Sequence, residues 1–184
     1  MTPLMRESIG KLAHLSASDL TELEDTLELV TYKKGEKLLS EGEVCNWFWF
    51  LEGGSVRQYY LNTDWDPVTT GLFVPGSWVL DVSSFTGRKP SIGYIEAFTA
   101  CTTHRISIDS VHQLIARSQS FLQLGKILDA SRDLAYHHDQ TPDARYLHLL
   151  KHSPELVQTF PLRYIASYLG MTPETLSRVR KRIS

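Results

Sequence analysis

The 184-residue chain is poor in cysteine, in long apolar runs and, over much of its length, in histidine, and each shortage removes a class of chemistry. Cys45 and Cys101 are the only cysteines, and no CxxC pair occurs. Two thiols cannot complete a four-cysteine zinc or iron–sulfur site within one chain, so free thiols in a reducing compartment are expected. Between Val30 and Thr103 there is no histidine. A cupin-like metal oxygenase or isomerase needs several imidazoles converging inside a small barrel, and that requirement is unmet. No G-x-S-x-G elbow or phosphate-binding glycine loop is present. The longest aromatic-aliphatic run, Trp47 to Leu51, falls far short of the ~20 residues of a membrane helix. The opening residues MTPLMRESIG lack the apolar core of a secretory signal. These shortages predict a cytoplasmic protein that is not an enzyme and holds neither cofactor nor metal.

Net charge is also small, −2 at pH 7, which excludes wholesale polyanion binding. Its distribution is uneven. From Thr141 onward there are seven Lys and Arg against three Asp and Glu, a net of +4, whereas residues 1–140 hold twelve against eighteen, a net of −6. An acidic body carrying a basic head suits a nucleic-acid partner for the head. His148 and His152 stand four apart on a predicted helix, but no glutamate completes an H-E-x-x-H pattern, and they read as surface residues.

Residues 4–29 have helical periodicity in two pieces, with Ser16 or Ser18 opening the second. From Val30 to Ile108, short β-rich segments alternate with turn signals at Gly35, Gly42, Gly53-Gly54, Asn62 to Pro67, Pro75-Gly76 and Gly87 to Pro90. That rhythm predicts a small antiparallel barrel or sandwich. Trp47, Phe48, Trp49 and Phe50 should alternate across a strand, half of them lining its interior. Asp109 or Ser110 can then cap a long helix. Along it Phe121, Leu124, Leu128, Ser131 and Ala135 form a seam fit for a partner helix, while Ile127 and Leu134 widen the stripe toward packing on the chain's own barrel. Thr141-Pro142 restarts a helix that ends near Pro154.

The stretch FPLRYIASYLGMTPETLSRVRKRIS carries the most information. Pro161 fits a first helical turn, and Ile165, Ala166 and Leu169 give an apolar stripe. Gly170 supplies the left-handed stop, Thr172 a cap, and Met171 with Leu176 a hydrophobic staple. Two helices joined by such a turn make a helix-turn-helix. On the second helix Leu176, Val179 and Ile183 share one side. Glu174, Ser177, Arg178 and Lys181 fall opposite, flanked by Arg180 and Arg182. Arginine can pair with guanine and glutamate with cytosine in a major groove, and flanking cations suit phosphates. Thr172, Glu174, Thr175, Ser177, Arg178, Arg180, Lys181 and Arg182 are thus the expected DNA-contacting set.

This order of elements resembles the Crp/Fnr superfamily, the cyclic-AMP receptor protein-like regulators. The resemblance rests on KKGEKLLSEGE, FLEGGSVRQYY, VPGSWVLDVSSFTGRKPSIGYIEAFTACTTHRIS and IASYLGMTPETLSRVRKRI. The RYLHLLKHSPEL connection and the ending look most like compact members common in the Bacteroidetes lineage. It implies an α+β protein in three parts: a cyclic-nucleotide-binding-like β-roll, a jelly-roll-type sensor, with N-terminal helices over 1–109; a long dimerisation helix over 110–139; and a helix-turn-helix over 140–184. It further implies a homodimer bound to double-stranded DNA, contact with the transcription machinery, and control by a small-molecule effector.

Within that pattern Glu174 and Arg178 match base-contacting positions, whereas Pro173 stands where cyclic-AMP-binding members often carry an arginine. Those members also show a Gly-Glu pair and, further on, an Arg-Ser pair that holds the cyclic phosphate. Ungapped alignment puts Leu80-Asp81 at the first pair and Ser91-Ile92 at the second, making these four the pocket candidates. Asp81 can accept from a ribose hydroxyl, but the arginine is missing. A charge-assisted hydrogen bond of that kind is about twice as strong as a neutral one. Arg88 and Lys89 read as decoration of an exposed GRKP turn, so no physiological cyclic-AMP binding is expected. The chain also ends one residue past Ile183, where larger relatives add a β-hairpin wing. DNA affinity should therefore lean on dimerisation and on the cations of the last helix. The alternative reading is a ligand or interaction module that leaves DNA alone.

Overall fold

The computed structural model describes residues 1–126 and 141–183, and it is an α+β protein. Two helices come first, α1 (Pro3–Leu12) and α2 (Ala17–Thr26). Ser16 and Asp19 form a reciprocal capping box that starts α2 by satisfying donors the helix leaves open. Eight strands follow: β1 (Glu28–Tyr32), β2 (Lys37–Leu39), β3 (Trp47–Gly53), β4 (Val56–Leu61), β5 (Pro67–Phe73), β6 (Trp78–Val79), β7 (Tyr94–Ala97) and β8 (Cys101–Ser107). A short helix, α3 (Val82–Gly87), interrupts them after β6.

The strands form two antiparallel four-stranded sheets, ordered β1-β8-β3-β6 and β2-β7-β4-β5, that share one apolar core. They do not close on each other, so the expected barrel is an open pair of sheets. Two glycines make close approaches possible. A Cβ on Gly54, whose φ is +84°, would meet the Ala100 carbonyl oxygen at 2.2 Å, and one on Gly93 would meet the Tyr59 carbonyl oxygen at 2.5 Å.

The aromatic run on β3 departs from simple alternation. Phe48, Trp49 and Phe50 are all buried. The reason is that helices cover the strand as well as the facing sheet. Phe50 meets Trp78 edge-on at 4.9 Å, and the Trp78 indole N–H donates to Ser8 Oγ on α1 at 3.0 Å. Trp49 in turn donates to the Tyr32 hydroxyl at 3.1 Å.

The expected unbroken helix over 110–139 also needs correction within the described residues. Helix α4 (Ile108–Arg117) is capped by Ser107 rather than by Asp109 or Ser110, and it stops at Ser118, whose backbone is extended. A 3-10 helix (Gln119–Gly125) follows. It turns Phe121 and Leu124 into the sheet domain's own core, so these two members of the predicted dimer seam are used inside the subunit. Ile127, Leu128, Ser131, Leu134 and Ala135 lie outside the described residues.

Over residues 141–183 run four helices: α5 (Pro142–His152), α6 (Pro154–Thr159), α7 (Leu162–Tyr168) and α8 (Pro173–Ile183). Thr141 caps α5, accepting from the Ala144 amide at 3.3 Å. Pro161 is the N-cap of α7 rather than its first residue. The helices share a second core of Tyr146, Leu149, Leu156, Phe160, Ile165, Leu169, Leu176 and Val179. Leu72 and Val74 from the sheet domain join this cluster. No helix among the described residues is long and apolar enough to cross a membrane.

Candidate functional site

Among the described residues, the expected site residues gather on two surfaces. The first is an open cavity of about 250 Å³ between β4, β5 and the α3 segment, lined in part by Gln58, Tyr60, Thr70, Asp81, Ser83 and Ile92. Its wall is built by local rules. Asp81 is the N-cap of α3, and its Oδ1 accepts from the Ser84 amide at 3.0 Å. Its Oδ2 accepts from the Ser91 hydroxyl at 2.7 Å. The Ser91 hydroxyl oxygen also accepts from the Gly93 amide at 3.2 Å. Both carboxylate oxygens thus already have protein partners.

The four pocket candidates separate accordingly. Asp81 and Ile92 line the cavity, and Ile92 is 79 % exposed at its rim. Ser91 is buried behind Asp81 as its hydrogen-bond partner, and Leu80 belongs to the sheet core. Among the described residues, no lysine or arginine lines the cavity. Arg88 instead donates to Asn46 Oδ1 at 2.7 Å from a left-handed turn (φ +52°), which explains why it does not face inward.

The second surface is the outer face of α8. Gly170 adopts φ +65° between α7 and α8, and the Met171 amide closes the turn on the Ala166 carbonyl at 3.0 Å. Thr172 Oγ1 accepts from the Thr175 amide at 3.2 Å, the expected cap. Leu176 and Val179 are buried, while Glu174, Ser177, Arg178, Arg180, Lys181 and Arg182 are exposed and Thr175 is half-buried. Glu174 sits in the first turn, where its own backbone amide and the Thr172 hydroxyl hold its carboxyl below the usual range. Arg178 makes a long contact to Thr175 Oγ1, at 3.4 Å, and its charge helps to lower the Glu174 carboxyl. The Arg182 guanidinium grips Asp143 on α5 with contacts of 2.7–3.1 Å.

Residues 29–118 match the family model of the cyclic nucleotide-binding domain. No curated protein sequence matches the chain. Similar solved structures include FixK2 from Bradyrhizobium japonicum, at 19% identity and TM-score 0.68, covering 85% of this chain and 84% of that one. The c-di-GMP responsive global regulator CLP from Xanthomonas campestris is 22% identical with TM-score 0.59, covering 91% of both chains. The Thermus thermophilus catabolite activator protein is 18% identical with TM-score 0.56, covering 99% of this chain and 86% of that one. These likenesses extend well beyond the matched cyclic nucleotide-binding domain into the C-terminal helices.

Two buried arginines that matter to these surfaces escaped the sequence reading. Arg145 on α5 is 9 % exposed, and its Nη1 donates to the Leu169 carbonyl at the end of α7. The signal was present, because Arg145 is four residues from buried Leu149 and so shares its face. Arg57 on β4, within the matched domain, lies between the rings of Tyr59 and Tyr164. Burial works against its charge. Nothing in the order of residues tells an outward Arg57 on a strand from a solvated one.

Proposed function

We propose that the chain is a DNA-binding transcription regulator of the Crp/Fnr type, which reads operator DNA as a homodimer through α8 and meets the transcription machinery there. One observation carries this reading. Glu174, Ser177, Arg178 and Lys181 recur at three- and four-residue steps on an exposed face, while Leu176 and Val179 anchor the opposite face. Arg178 and Glu174 read base edges; Arg180 and Lys181, with Thr172, Thr175 and Ser177, meet backbone or neighbouring bases. Arg182 contributes to phosphate binding by exchanging Asp143 for a phosphate oxygen. In a competent dimer the two α8 helices stand about one DNA turn, roughly 34 Å, apart.

The cavity takes a small effector other than cyclic AMP. Among the described residues its lining carries the Asp81 carboxylate and no basic side chain, a balance that disfavours a bound phosphodiester. Gel-shift titration on genomic fragments at declining salt tests the main reading. Sequence-selective, salt-sensitive retention is expected. Weak binding of equal strength to all fragments at every salt concentration would overturn it.

A further inference from the structure

Strand β4 serves two neighbours because successive side chains leave a strand on opposite sides. Gln58 and Tyr60 line the cavity. Arg57 points the other way, stacked 4.4 Å from the Tyr59 ring and 4.5 Å from the ring of Tyr164 on α7. The pairing with β5 repeats the division, since Gln58 stands opposite Gly71, whereas Arg57 stands opposite Leu72 and Tyr59 opposite Thr69. Leu72 belongs to the helices' core, and the Thr69 amide donates to Ser167 Oγ on α7 at 2.9 Å. Cavity and helices are therefore separated by the thickness of one two-stranded ribbon.

Arg57 is an expensive residue for simple adhesion. It is 8 % exposed, and its hydrogen bonds go to neutral oxygens, Thr69 Oγ1 at 3.0 Å and the Pro67 carbonyl at 3.4 Å. An apolar side chain would hold the contact without the desolvation cost of a charge. What a guanidinium between two rings adds is dependence on geometry. The ribbon also has little slack on the cavity side, where Gly93 lies so close to the Tyr59 carbonyl that no Cβ fits. Its register slips between Gln58 and Tyr59, the kind of bulge at which a strand bends.

We infer that the β4–β5 ribbon couples the cavity to the helical unit within one subunit. An occupant pressing on Gln58, Tyr60 and Thr70 displaces Tyr59, opens the Arg57–Tyr164 stack and loosens the orientation of α8. This regulatory role rests on the DNA-reading proposal for α8, and its route needs no second subunit.

Hydrogen exchange on the full chain tests the coupling, with affinity for a duplex selected from a randomised pool as a separate readout. Arg57→Met should speed exchange of the α7 and α8 amides about tenfold while leaving β1, β3 and β8 protected. Gly93→Ala pushes β4 from the cavity side, touches neither helix, and should do the same; Gln58→Tyr fills the cavity should Gly93→Ala fail to fold. Affinity for the selected duplex should fall about tenfold in each variant. Wild-type exchange in α7 and α8 of the Arg57 variant, or of both cavity variants, would overturn the coupling. Exchange that responds in a protein retaining no duplex would leave the coupling standing and remove the DNA reading instead.

Discussion

Arg145 Nη1 lies 2.5 Å from the carbonyl oxygen of Leu169, so a cation from α5 closes the C-terminal end of α7 where the tight turn begins. A longer contact of 3.4 Å reaches the Gly170 carbonyl. The last carbonyls of any helix have no partner within it and carry the negative end of its dipole. A buried guanidinium answers both needs, and it ties α5 to the turn that sets the direction of α8.

Replacing Arg145 with methionine keeps the stem but removes the bonds. The loss expected is about 1.5–3 kcal/mol, the range for hydrogen bonds to charged groups. Urea denaturation would register it, and Arg145→Lys should recover only part because an ammonium lacks the planar fork. A midpoint equal to wild type would mean that the turn holds itself.

At the reading face, Arg178→Ala should cost about 1–3 kcal/mol on a selected duplex and relax preference at one base position. Competition with random DNA separates the two roles open to the side chain. Equal losses on specific and random duplexes would make Arg178 a phosphate contact.

Calorimetry with cyclic AMP should show no heat of binding at micromolar ligand. Among the described residues the cavity lining offers no cation to meet the phosphate, and Asp81 is already bonded to Ser84 and Ser91. Micromolar affinity would show that a basic residue from elsewhere reaches the cavity.

Burial pushes the thiols of Cys45 and Cys101 up to about 11. Folded protein at pH 8 should therefore react with iodoacetamide far more slowly than unfolded protein, because the thiolate is the reacting form. The same shift carries a pH dependence. The folded state binds more protons at these thiols than the unfolded state between the ordinary thiol range near 9 and about 11, so their contribution to stability is constant below 9 and is lost as pH rises through that window. Rapid labelling of native protein at pH 8 would contradict the burial of both groups.

What the amino-acid order revealed best was governed by local rules. Gly170 at φ +65°, the Thr172 cap and the buried Leu176–Val179 face follow from positions within one or two helical turns. The start of α2 at Ser16, one of the two serines expected to open it, and the two-part reading of the N-terminal helices are of the same kind. Errors came where distant segments decide. The 110–139 periodicity continues past Ser118, but the chain folds Phe121 and Leu124 back under α1 and the sheets, which periodicity alone cannot tell from an exposed seam. The hydrogen bond of Ser91 to Asp81, between residues ten apart in sequence, is likewise set by the tertiary fold. Arg57 was invisible for the same reason, and the spacing of Arg145 from Leu149 told its burial but not its partner, since Tyr164 and Leu169 are brought to them only by the tertiary fold.

The second core changes what can be exchanged between proteins of this build. Leu72 and Val74 sit among the side chains of α5 to α8, and Phe98 meets the rings of Phe160 and Tyr164 at 4.9 and 5.2 Å. A chimera joined at residue 141 would graft foreign helices onto a seat cut for others and leave apolar surface wet on both sides of the joint. Working hybrids will have to transplant β5 and Phe98 along with the helices they receive.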